Sequence, residues 1–327
     1  MSALHRLILP LCVAMLSLFP LAVRAQAYPS RSITVIVPFA AGGGVDSTAR
    51  LVLARLSDTL GQPVVIDNVA GAAGTIGTLK AARAPGDGYT LLFAVASPIN
   101  VAPLVSPSVV KYDALKDFTP LATVAVSPFV LIGRNDLKAA NTAELLRLAR
   151  SQPGKLTFGT DGVGTSLHIT GELIKQRAGV DILHVPYKSG PQVLTELAGG
   201  TLDLAVLPLT LAQPFIKDGK VRAYGVTSRG RWPTLPEVPA LAETADLKDI
   251  EVESWLGLLA PSSISPATAE VLVKALSGVL KEPEIVRKLG DIATRPMLIS
   301  GAQFKDYLAR EKQLIGGVVT RANIKAE

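Results

Sequence analysis

The sequence predicts an α/β protein of two lobes, each a doubly wound sheet with helices on its faces, joined by two crossing strands. Three observations carry this expectation. From Arg31 onward, short β-branched runs alternate with amphipathic segments and turn residues, the pattern of a parallel sheet covered by helices. The order strand, glycine loop, helix occurs twice, at 33–60 and at 155–177. A length of 327 residues exceeds what one core usually organises, so two domains are expected.

Residues 1–27 stand apart from that fold. His5 and Arg6 precede an apolar run from Leu7 to Val23, and Ala25-Gln26-Ala27 is a small-x-small ending. This is the plan of a secretory signal peptide, cleaved near Ala25 or Ala27, and it points to an exported, periplasmic protein. Cys12, the one cysteine, lies inside it, which excludes disulfides, thiolate metal sites and cysteine nucleophiles from the mature chain. No other apolar run approaches the roughly 20 residues of a membrane span. Taking off Arg6 and Arg24 lowers the formal charge from +6 to +4, and only 5% of residues are aromatic. With the basic residues scattered, a nucleic-acid surface is not expected.

Ile33 to Val37 reads as a strand buried on both faces. Pro38 ends it, because proline offers no N–H to a ladder. Gly42, Gly43 and Gly44 turn the chain, and Ala49, Val52, Leu53, Leu56 and Leu60 then repeat at helical spacing. A second strand (64–67), a small glycine-containing loop (68–74), a helix from Thr75 and a third strand (89–95) continue the pattern. Ligands of such sheets sit beyond the carboxyl ends of the strands, here the loops 38–46, 68–75 and 96–100, which include Phe39 and Ser97. After a connector at 112–120 come two apolar runs, 121–126 and 129–133, separated by Ser127-Pro128. They mark the crossing into a second domain, 127–252, with the same grammar. Its strands are expected at 156–159, 182–186, 202–207 and 221–227. A strand at 252–260 containing Trp255 returns the chain, so the first domain is discontinuous, 28–126 plus 253–327. Helices follow from Ser265-Pro266 to about Leu280, over 284–289, and from Ala302 to about Lys312.

The two glycine loops are the candidate site. A helix N-terminus brings about half a positive charge and free N–H donors, and two of them, one per lobe, would clamp a carboxylate without an arginine. Taken singly, each loop also fits an ordinary tight turn. The first invites a nucleotide reading as well. No lysine follows the glycines, which excludes a P-loop. Gly42-x-Gly44 opens a dinucleotide fingerprint, but Ser47 stands where the third glycine belongs, and Asp67 would be the ribose acid. A secreted NAD-type oxidoreductase is therefore the alternative of another class. His168 and Glu172 share a helix face at i, i+4, yet two ligands do not make a metal site. Without a G-x-S-x-G elbow, Ser166, Asp161 and His168 do not make a hydrolase. No metal, cofactor or catalytic group is expected.

Several ordered motifs give a resemblance over essentially the whole mature chain. They are Arg31-Ser32-Ile33 through Val37-Pro38-Phe39-Ala40-Ala41-Gly42-Gly43-Gly44 with Asp46, Leu60-Gly61-Gln62-Pro63, Asp87-Gly88-Tyr89-Thr90, Gly164-Thr165-Ser166-x-His168, His184-Val185-Pro186-Tyr187-Lys188 and Ser254-Trp255-x-Gly257. In these the chain resembles the substrate-binding proteins of tripartite tricarboxylate transporters, often called Bug receptors. The resemblance implies a type II periplasmic-binding-protein-like fold that closes like a flytrap on a small carboxylate, with no catalysis. It also implies membrane transporter subunits as partners; a receptor reporting to a membrane sensor instead is an alternative, and a monomer is expected. Carried over, Pro38, Ala40, Gly42, Gly43 and Asp46 form one jaw. Thr165, Ser166 and His168 form the other, and Tyr187 lines the wall. The chain departs at 68–74, where the family usually has Asn-Arg-Pro-Gly-Ala-Gly-Gly, and at Leu207, where an acid often faces the pocket. The second departure points away from a ligand amino group, towards a less polar acid.

Overall fold

The computed structural model describes residues 28–322 and 324–325; the expected signal peptide lies outside them. Strand β1 (Ile33–Val37) is the apolar run read from the sequence, with four of its five residues buried. It lies between β2 (Val64–Asn68) and β3 (Thr90–Val95), parallel to both. Helix α1 (Gly44–Leu60) lays Ala49, Val52, Leu53 and Leu56 on the sheet and stops at Gly61, whose φ of 65° ends the helix in a left-handed turn. Helix α2 (Thr75–Ala82) follows β2. β3 ends at Val95 as expected, and the loop expected over 96–100 is instead a π-helical turn, Ser97–Val101, running into Ala102–Val105.

The crossing differs from the expectation of two runs broken at Ser127-Pro128. Strand β4 (Phe118–Gly133) passes through both residues without interruption. Its first part pairs antiparallel with β9 (Glu253–Pro261), down to Pro128 opposite Glu253. From Phe129 onward it pairs with β7 (Leu204–Pro208) and, on its other edge, with β8 (Arg222–Val226). Proline is tolerated because it stands where the strand exchanges one partner for another. The second lobe is completed by α3 (Thr142–Ser151), β5 (Thr157–Thr160), α4 (Ser166–Ala178), β6 (Leu183–Pro186), α5 (Gly190–Ala198) and α6 (Leu209–Lys217). The sheet order is β2-β1-β3-β9-β4-β7-β5-β6.

Each lobe has its own apolar core, one around Val35, Leu53, Phe93 and Leu258, the other around Val130, Leu146, Leu194 and Val206. After β9, helices α7 (Pro266–Val279) and α8 (Pro283–Asp291) return to the first lobe. A two-residue strand β10 (Arg295–Pro296) pairs with β4. Helix α9 (Gly301–Ala322) is twice as long as the sequence pattern indicated. Its far half carries Ile315, Val318 and Val319 onto Val101 and Val105 of the first lobe and Ile169 of the second. No helix among the described residues is long and apolar enough to cross a membrane.

Gly257, at the centre of the returning strand, has no room for a side chain. A Cβ there would lie 2.8 Å from Phe304 Cζ and 3.2 Å from the Ala122 carbonyl oxygen. Gly257→Ala is expected to lower stability by about 1–3 kcal/mol, measured by urea unfolding. An unchanged midpoint would show that Phe304 can move aside.

Candidate functional site

A cavity of about 600 Å³ lies between the lobes. The first lobe contributes Phe39, Ala40, Gly43, Gly44 and Val45 and the 70–75 loop; the second contributes Asp161 to Gly164, Tyr187 to Pro191, Pro208 and Leu211. Four helix N-termini border it: α1 through Gly43, α2 through Gly74, α4 through Gly164 and α5 through Ser189. Among the lining side chains only Asp161 and Lys188 are charged.

The first loop is held rigid by an acid. Asp46 is buried, and its carboxylate accepts from the Gly42 N–H at 2.9 Å, from Arg50 Nε at 2.8 Å and from Asn68 Nδ2 at 3.0 Å. The Asn68 amide also donates to the Phe39 carbonyl oxygen. Burial works to raise the Asp46 pKa, but the Arg50 guanidinium, the Gly42 N–H and the Asn68 amide outweigh it and hold the carboxyl below its ordinary value. Asp46 and Gly42, expected in the jaw, thus brace the loop, the Gly42 N–H being spent on the Asp46 carboxylate. The donors that stay open are the N–H groups of Gly44 and Val45. Neither has a protein partner among the described residues, and both residues line the cavity.

The second jaw is also arranged differently from the expectation. Ser166 N–H donates to Ser97 Oγ at 2.9 Å, and the two hydroxyls are 3.1 Å apart. This pair, expected on the ligand, joins the lobes directly. Buried Thr165 caps α4 by accepting from the His168 N–H and donates its own hydroxyl to the Gly162 carbonyl. His168 Nδ1 accepts from the Gly164 N–H at 3.1 Å and so ties down the glycine loop. Its ring stacks on His184 at 3.9 Å, and His184 meets the Thr160 hydroxyl at 2.7 Å. Burial depresses both imidazoles. For His168 the nearby Glu172 opposes that and Lys175 adds to it, while His184, with His168 and Lys175 beside it, falls to about 3. Both are therefore neutral at pH 7. Glu172 Oε1 is 3.9 Å from His168 but 2.7 Å from Lys175, and the described residues contain no cluster of three metal-ligating side chains.

Of the residues expected at the ligand, Phe39, Ala40, Gly43 and Tyr187 line the cavity. Pro38 is buried behind it, against the space beside Gly77. Leu207 is wholly buried in the core of the second lobe, and Pro208 and Leu211 line the cavity beside it. Gly44 and the 70–75 loop, where Ala72 and Ala73 hold φ of 46° and 54°, line the cavity within the loops expected at the strand ends, whereas Asp161, weighed in the sequence only for a hydrolase, was not expected at the ligand. Asp67, the candidate ribose acid, lies off the cavity and is bound by Lys80 at 2.6 Å.

Residues 48–324 match the model of the tripartite tricarboxylate transporter family receptor. The chain belongs to that family. Solved structures repeat the fold. The periplasmic binding protein BugD is 31% identical and superposes with a TM-score of 0.86, covering 92% of this chain and 100% of its own. Rpa4515 of R. palustris, solved with adipate, is 31% identical at TM-score 0.84, covering 91% and 99%. MatC of Rhodopseudomonas palustris, solved with malate, is 29% identical at 0.78, covering 90% and 98%. The receptor thus has the two-lobed fold of periplasmic solute-binding proteins, and its family is one of transporter receptors.

Proposed function

We propose that this receptor captures a small carboxylate in the cleft and delivers it to the membrane subunits of a tripartite tricarboxylate-type transporter. It works in the periplasm, as a monomer and without a cofactor, once residues 1–27 are removed. The observation that carries the reading is the convergence of helix N-termini on one interlobe cavity. The ligand carboxylate would accept from the Gly44 and Val45 N–H groups, favoured by the α1 dipole. Closure of 28–126 plus 253–327 onto 127–252 would bend β4 and β9, where the chain crosses. The adipate and malate complexes of the neighbours support carboxylates as the ligand class.

A panel of carboxylates against the mature protein in a thermal-shift assay tests this. The true ligand at a hundredfold its Kd is expected to add about 2.7 kcal/mol of stability. A shift with NAD and with no acid would sink the proposal.

A further inference from the structure

We propose that Asp161 sets the chemical class of the ligand, by accepting a hydrogen bond from a hydroxyl or ammonium group that the ligand carries besides its clamped carboxylate. This rests on the reading of the cleft as a carboxylate site. Asp161 follows β5 directly and lines the cavity. Its Oδ1 is closed off from solvent and has no hydrogen-bond partner. An acid so placed is an acceptor in want of a donor, because a buried polar atom left unpaired is unfavourable. The protein supplies little. The Thr165 hydroxyl and the residue's own N–H favour the charged form, and among the described residues no ion pair joins it to Lys188, the other charged side chain of the wall. Burial nevertheless pushes the carboxyl up to about 6, so at neutral pH most of it is ionised and can only accept.

The consequence for selectivity is direct. A plain carboxylate brings a second set of acceptors towards an acceptor, whereas a hydroxy or amino acid brings the missing donor. Sites built to bond a ligand hydroxyl or amine reject analogues lacking it far more strongly than apolar pockets reject a missing methylene. Loss of the acid at Leu207 pointed away from a ligand amino group; Asp161 restores a carboxyl to the wall from another strand end.

The test uses matched sets differing in one group: succinate, malate and aspartate; propionate, lactate and alanine; glutarate, 2-hydroxyglutarate and glutamate. Each is titrated by calorimetry against the mature wild type, Asp161→Ala and Asp161→Asn. In the set that binds, the donor-bearing member is expected to be at least about tenfold tighter than the plain acid. Asp161→Ala is expected to shrink that ratio to about threefold or less by weakening the donor-bearing member, with the plain acid held or improved. Asp161→Asn keeps the shape and one acceptor oxygen, so it retains a hydroxy acid and loses an amino acid, which separates the two sources; it also carries the test if the alanine variant fails to fold. Plain acids binding as tightly as their partners, or a preference that survives Asp161→Ala, would overturn the proposal while the carboxylate reading stands. Binding of no acid at all would overturn both.

Discussion

Gly44→Val is expected to weaken carboxylate binding by roughly ten- to a hundredfold, the free-energy equivalent of about 1–3 kcal/mol of overpacking. A Cβ at this position would overlap Thr210 Oγ1 and come within 3.2 Å of Pro208 Cβ. Both neighbours belong to the second lobe, whereas Gly44 opens the first helix of the first. The clash therefore arises only when the lobes meet, and each lobe keeps its own core when they part. Added bulk would also crowd the N–H groups of Gly44 and Val45. Gly43, the preceding residue, is more forgiving: a Cβ there meets only the Ala40 carbonyl, at 3.4 Å. Calorimetric titration together with circular dichroism of the variant separates lost binding from lost fold. Affinity equal to the wild type would show that binding does not bring Gly44 against Thr210. Replacing Thr210 by alanine in the same chain should recover part of the loss, since neighbouring changes of this kind are not additive.

Much of the fold was legible because local chemistry dictates it. The β-branched run at Ile33, the glycines after it and the 3.6-residue spacing of Val52 and Leu56 are signals within one segment. Signals that depend on distant partners were not readable. Pro128 looked like a break because nothing in the sequence says that β4 changes partner there. The last helix was expected to end near Lys312, yet it runs on through Gly316 and Gly317, because packing of Val318 and Val319 outweighs the roughly 1 kcal/mol that a helical glycine loses. At Leu207 the difficulty is where the strand ends. Strand β7 is buried on both faces as far as Leu207, and only its last residue, Pro208, reaches the cavity. The inward role of Asp46 needs Asn68, 22 residues on, and the Ser97–Ser166 bond spans 69 residues. Glycine loops announce where a ligand sits; which side chains are already engaged there is a property of the folded chain.

Glu311 is the second place where a single change should act strongly, and it lies on the half of α9 nearest the crossing strand. Its carboxylate accepts from Trp255 Nε1 and from Asn100 Nδ2, each at 2.7 Å. Trp255 is wholly buried in β9, and Asn100 is wholly buried in the turn after β3. The acid thus fastens the last helix to a strand that joins the lobes and to the segment that carries Ser97. Glu311→Ala would leave the buried indole N–H unpaired beside a new void and take from Asn100 Nδ2 one of its two acceptors, the Leu308 carbonyl remaining. A loss of about 1–3 kcal/mol is expected from the orphaned donor, with the void adding to it. Glu311→Gln keeps an acceptor oxygen and should lose much less. Burial raises the Glu311 pKa to about 7, with the Trp255 and Asn100 hydrogen bonds pulling down. Because the folded value lies above the unfolded one, the folded state binds this proton more tightly. The contribution is fully present below the ordinary carboxyl range near 4.5 and is lost as pH rises through 7. Urea unfolding from pH 5 to 8 should therefore show wild-type stability falling relative to Glu311→Gln as the pH rises. Parallel profiles for the two proteins would mean that the carboxyl titrates near its ordinary value, and that its role is only to bridge Trp255 and Asn100.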